Sequence, residues 1–150
     1  MKLIAGLIAC ALLCGAVSAP ALAQQTSATT ASYKTVSSET FSKAPGGATL
    51  VDVREPAEWA QTGMPADAKG VPISSADFVA KVLATNGGDK SKPVAVICRS
   101  GTRSLKAAEQ LTAAGFTNVT NVGDGMIGRD GVGKGWLAAS LPVTPYKAPQ

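Results

Sequence analysis

The run Val94-Ala95-Val96-Ile97 leads directly into Cys98-Arg99-Ser100-Gly101-Thr102-Arg103, and an amphipathic stretch follows at once. The four apolar residues, two of them valine and one isoleucine, suit a strand buried on both faces. Leu105, Ala108 and Leu111 then recur on one face at helical spacing, and Gly115 terminates that helix. A strand, a tight polar turn and a helix in succession are the repeating unit of an open α/β sheet. In such sheets ligands bind beyond the carboxyl ends of the strands, where Cys98 stands.

The remaining chain supplies more units of the same kind. Tyr33–Val36 reads as a short edge strand, and Ser37-Ser38-Glu39-Thr40 offers capping hydroxyls to a helical turn carrying Phe41. Residues 48–53 (ATLVDV) form a second buried strand, interrupted by Asp52. A buried carboxylate needs a partner, and Arg54 or backbone N–H groups at the strand's end are the candidates. Pro56 suits the first turn of a helix in which Trp59 anchors the core. Residues 62–69 read as loop, Gly70-Val71-Pro72-Ile73 as a short strand, and Ser74-Ser75-Ala76-Asp77 as the opening of a helix with Phe78, Val79, Val82 and Leu83 on one face. Lys90 and Lys92 read as surface charge. Residues 118–122 form another strand, and residues 123–135 are a glycine-rich loop bordering the site, without the register of a phosphate-binding fingerprint. Trp136 begins a terminal turn that packs on the sheet, Leu141-Pro142-Val143 closes the domain, and residues 144–150 are tail.

At the amino end, Lys2 precedes an apolar run over residues 3–17, and Ala21-Leu22-Ala23 has the small-x-small form of a cleavage site. The run falls short of the roughly 20 residues that a spanning helix needs. Residues 1–23 are therefore expected to be a cleaved secretory signal, with no membrane association afterwards and a periplasmic or secreted location. A lipoprotein signal is disfavoured by Leu13 immediately before Cys14. Removing 23 of the 150 residues leaves 127, a flexible lead-in over 24–32 and one domain over 33–143, and takes one charge from the net +4. A mildly basic chain without a lysine or arginine cluster interleaved with aromatics carries no nucleic-acid footprint.

Cys10 and Cys14 leave with the signal, so Cys98 becomes a lone thiol and no internal disulfide can form. A lone cysteine is either a small buried hydrophobe or a thiol kept for reactivity, and the flanking Arg99 and Arg103 favour the second. The chain contains no histidine, which excludes Cys-His dyads, Ser-His-Asp triads and the commonest metal ligand. A thiolate here must be stabilised by Arg99, Arg103, the turn's N–H groups and the positive end of the following helix. The spacing from Cys98 to Arg103 is C-x4-R, one residue shorter than the C-x5-R turn of cysteine phosphatases. The tighter cradle suits a terminal sulfur held on Cys98 as a persulfide.

Residues 50–59 (LVDVREPAEW), 62–65 (TGMP), 94–104 (VAVICRSGTRS) and 135–143 (GWLAASLPV) together resemble the single-domain rhodanese-like sulfurtransferases, over about residues 33–143. The resemblance implies a three-layer α/β/α fold around a five-stranded, mostly parallel sheet. It implies double displacement, in which Cys98 takes sulfur from a small anionic donor, thiosulfate, and passes it to cyanide, a thiol or a protein acceptor, with no cofactor or metal. On that resemblance Cys98 is the nucleophile and Arg99, Ser100, Gly101, Thr102 and Arg103 form the substrate cradle, with Arg99 and Arg103 orienting the donor. Asp52, Arg54 and Glu55 match a structural motif near the site. Two departures stand out: the family's G-H-I-P-G-A segment appears as Gly63-Met64-Pro65-Ala66-Asp67-Ala68, without its histidine, and the glycine-rich segment over 124–134 is lengthened. The alternatives are a persulfide carrier that turns over poorly alone and, against the short loop, a cysteine phosphatase or arsenate reductase.

Overall fold

The computed structural model describes residues 32–148. The expected signal peptide and all but the last residue of the lead-in lie outside the described residues.

Five strands form one parallel sheet: β1 (Tyr33–Val36), β2 (Thr49–Asp52), β4 (Lys69–Gly70), β5 (Val94–Ile97) and β6 (Val119–Val122), in the order β1-β6-β5-β2-β4. Period-two alternation sends their side chains to opposite faces. Val51, Val94, Val96 and Val119 pack on one face with Phe78 and Val82 of α3 (Phe78–Thr85) and Ala107, Ala108 and Leu111 of α4 (Thr102–Ala113). Leu50, Ala95, Ile97 and Val122 pack on the other with Phe41 of α1 (Ser38–Lys43), Met126 and Trp136. The result is the three-layer α/β/α arrangement around a five-stranded parallel sheet. Asp52, Ile97 and Val122 are in register, so the turns after β2, β5 and β6 emerge side by side. The chain leaves β2 toward β4 at one edge and leaves β5 toward β6 on the other side, and this divergence opens a crevice at the carboxyl edge.

Three local expectations change and one gains a contact. The strand expected over 70–73 is β4 at Lys69–Gly70; past it the contact continues irregularly around Pro72, which has no N–H to give, with Val71 donating to Asp52 O and Ile73 to Val53 O. Residues 62–69, expected as loop, contain β3 (Met64–Pro65), which pairs antiparallel with β7 (Val143–Thr144). That pairing joins residues far apart in the chain, and no local pattern announces it. Packing also continues into the expected tail, where Tyr146 sets its ring edgewise on Trp59 with centroids 5.1 Å apart. Lys90 is exposed as expected, and in addition its ammonium donates to Ala114 O at 2.8 Å, closing the carboxyl end of α4.

Candidate active site

Cys98 follows β5 and points to the same face as Val96, so its side chain is 1% exposed among the residues that pack under α4. The chain then turns sharply enough to start α4 at Thr102. Gly101 makes that turn at φ 91°, a left-handed conformation that side chains disfavour. Any Cβ there would also collide with the carbonyl of Gly123. The Gly101 N–H donates to Cys98 Sγ at 3.1 Å, while its carbonyl accepts the Leu105 N–H at 3.0 Å and the Ser104 hydroxyl at 3.2 Å. Ser104 Oγ itself lies 3.4 Å from Sγ. The thiol therefore meets an amide donor, a hydroxyl and the positive end of a twelve-residue helix.

The charges divide sharply. Arg54 holds Asp52 through Nε and Nη2, at 3.0 and 2.7 Å, and spends its other donors on Thr62 Oγ1 and Gly63 O. The Arg54 backbone N–H also reaches Asp52, so both expected kinds of partner are used. Glu55 stands at the amino end of α2 (Pro56–Thr62), where Pro56 takes the first turn, and accepts the Ser74 hydroxyl at 2.8 Å. Arg103, expected to orient the donor, forms a bidentate pair with Glu58 at 2.6 and 2.7 Å. The Arg103 guanidinium holds the Glu58 carboxyl below its ordinary range, and Glu58 in turn raises Arg103. Among the described residues Arg99 has no ion-pair partner. It is exposed and borders a cleft of about 150 Å³ with Glu58, Gln61, Met126 and Ile127. Ser100 is half-buried in the turn and Thr102 is exposed at the head of α4. Cys98 lies beneath this turn rather than in the cleft lining.

The glycine-rich segment does border the turn. Met126 N–H donates to Cys98 O at 2.9 Å and Ile127 N–H to Arg99 O at 3.0 Å. Gly125, at φ 60°, permits this approach, because a Cβ there would stand 2.6 Å from both carbonyls. Asp124 is fully buried and accepts from Ser38 N, Ser38 Oγ and Gly135 N, which ties the segment to α1.

Sequence reasoning missed Ser104 and Glu58. Ser104 was visible as the residue one helical turn beyond Gly101, within reach of a thiol under the helix's first turn. Glu58 lies three residues after Glu55 and accepts its N–H at 3.1 Å, a capping-box spacing that marks the helix entry. Its pairing with Arg103, 45 residues away, has no local signal.

The family model of the rhodanese-like domain matches residues 37–128. A protein named sulfurtransferase from Allochromatium vinosum is 34% identical over 94 residues, covering 63% of this chain and 76% of its own. Thiosulfate sulfurtransferase GlpE of Pseudomonas savastanoi is 37% identical over 79 residues, covering 53% and 69%. The crystal structure of Rv0390 from M. tuberculosis superposes with a TM-score of 0.57 at 35% identity, covering 77% of this chain and all of that one. With the order of the sheet, the turn after β5 and the match over most of the described residues, the chain belongs to the rhodanese-like sulfurtransferase family.

Proposed function

We propose that the protein is a thiosulfate sulfurtransferase in which Cys98 is the nucleophile. The observation that carries this reading is the direct N–H···S contact from Gly101 to Cys98, made in a turn that leaves Arg99 without an ion-pair partner among the described residues. The Cys98 thiolate attacks the outer sulfur of thiosulfate. The bond between the two donor sulfurs breaks, its electron pair leaves with sulfite, and Cys98 keeps the outer sulfur as a persulfide. Cyanide or a thiolate then attacks that terminal sulfur, and the electron pair of the S–S bond returns to Cys98. The Gly101 N–H and the α4 amino end face Sγ and stabilise its thiolate, and the Ser104 hydroxyl, which donates to Gly101 O beside the neutral thiol, turns to donate to Sγ when the proton leaves. Arg99 attracts the donor dianion to the turn. The name of the GlpE relative supports thiosulfate as donor. Purified protein with thiosulfate and cyanide is expected to yield thiocyanate, and a Cys98→Ser protein of undiminished activity would contradict the reading.

The burial of Cys98 favours a second reading, a carrier that holds sulfur until a partner protein collects it. A stable one-sulfur adduct with negligible thiocyanate production would identify that case. The phosphatase reading loses support from Arg103, whose guanidinium is neutralised by Glu58 rather than offered to a phosphoryl group. Export to the periplasm or medium rests on residues 1–23. Mass analysis of protein from its native compartment tests it, with a mature chain beginning at Gln24 expected.

A further inference from the structure

Of the arginines already placed at this end of the sheet, Arg54 is neutralised by Asp52 and Arg103 by Glu58, which leaves Arg99. A further guanidinium comes from the glycine-rich segment. Arg129 opens a tight reversal, its N–H donating to Gly133 O at 2.9 Å while its carbonyl accepts from Val132 and Gly133 at 3.1 Å. One residue earlier, Gly128 is at φ 98° and a Cβ there would stand 2.7 Å from Lys134 O, so the approach to Arg129 is fixed by backbone packing. The Arg129 side chain turns toward the Cys98 loop. Its Nη1 lies 3.2 Å from the point where a Cβ of Gly101 would stand, beside the residue whose amide bonds Cys98 Sγ. Among the described residues this guanidinium has neither an ion-pair nor a hydrogen-bond partner.

We infer that Arg129 is a donor-binding residue that, with Arg99, makes this protein select anionic over neutral sulfur donors. The inference rests on the sulfurtransferase reading above and assigns to Arg129 the part that the family resemblance implied for Arg103. Arg99 follows Cys98 in the chain and borders the cleft beside the turn, and Arg129 abuts Gly101, so two guanidiniums without ion-pair partners among the described residues flank the Cys98–Gly101 turn. A dianion with a sulfonate end matches two such charges better than one. Their attraction grows further as the sulfur–sulfur bond breaks and charge gathers on the leaving sulfite.

In double displacement, kcat/KM for donor and for acceptor report separate half-reactions. Arg129→Ala is expected to lower kcat/KM for thiosulfate about tenfold, the size of one charged hydrogen bond, and to leave kcat/KM for cyanide within about twofold. Arg129→Lys is expected to recover most of the loss. Equal losses in both half-reactions, which a merely structural role would give, or no loss for thiosulfate, would overturn the inference. A second readout needs no sulfur transfer: the rate at which Cys98 is alkylated by iodoacetate relative to neutral iodoacetamide. That ratio is expected to fall several-fold in Arg129→Ala and to return in Arg129→Lys, and an unchanged ratio would overturn the inference. A wild-type protein inert to thiosulfate, with the ratio still dependent on Arg129, would defeat the thiosulfate reading alone and uphold the anion selection.

Discussion

Residues 98–103 and residues 123–135 lie back to back at the carboxyl edge of the sheet, and different forces hold them there. The first turn is closed by bonds within its own neighbourhood, Gly101 N–H to Cys98 Sγ and Leu105 N–H to Gly101 O. The second is placed by distant partners: the carbonyls of Cys98 and Arg99, and Ser38 through Asp124. The sulfur proposed to react thus sits in the part whose turn is closed by local bonds, backed by two bonds from the second segment. The charge proposed to select the donor sits in the part that depends on the rest of the fold. Away from Gly125, which the close approach requires, a segment of the second kind can change in length and residue type without disturbing the thiol, provided that its two backbone bonds to the Cys98 turn survive.

The most severe test of this division is Gly101→Ala, because Gly101 is where the two regions touch. The substitution forces a left-handed residue and a collision with Gly123 at once. Displacing the amide from Sγ by about 1 Å is expected to cost about a hundredfold in sulfur transfer. Activity within a few-fold of wild type, in a protein with an unchanged melt, would show that the turn does not depend on this contact. Asp124→Ala comes next and acts on the second region. It strands buried donors on Ser38 and Gly135, and a loss of about 2–3 kcal/mol in urea unfolding is expected. A loss near zero would mean that other bonds place the segment.

Glu58→Gln probes the frame behind the turn, with an expected loss of about 1 kcal/mol from this half-buried pair. Because Arg103 lowers the Glu58 pKa, the pair contributes fully above the ordinary glutamate range. Its contribution disappears as pH falls through the lowered value. The glutamine variant is expected to lack this acid-side component in melts taken across that range, and identical acid profiles would contradict it. Ile127→Ser is the mildest change. The Ile127 side chain is 51% exposed and only its backbone N–H holds the turn, so stability is expected to stay within about 0.5 kcal/mol. A larger shift would show that side-chain packing, not the backbone bond, joins the two regions.

What the sequence disclosed follows the same division. β5, the Cys98 turn and α4 were legible because each is written in local terms, an apolar run, a glycine at a reversal and helical spacing. The Asp52–Arg54 pair was legible as one of two options because a carboxylate inside an apolar strand demands a partner, and Arg54 or the backbone N–H groups at the strand's end were nearest in the chain. The β3–β7 pairing and the Glu58–Arg103 bridge were not, since both join residues distant in the chain. Arg103 shows the consequence. The family resemblance implied that it orients the donor, and a carboxylate from α2, invisible to any local pattern, occupies it instead.

The central claim is that Cys98 carries sulfur. Intact-mass measurement of the full chain after exposure to thiosulfate tests it most directly. The expected result is the gain of one sulfur atom on wild-type protein, removed by cyanide and absent from Cys98→Ser. A wild-type protein that gains no sulfur, or a serine variant that gains it equally, would contradict the account.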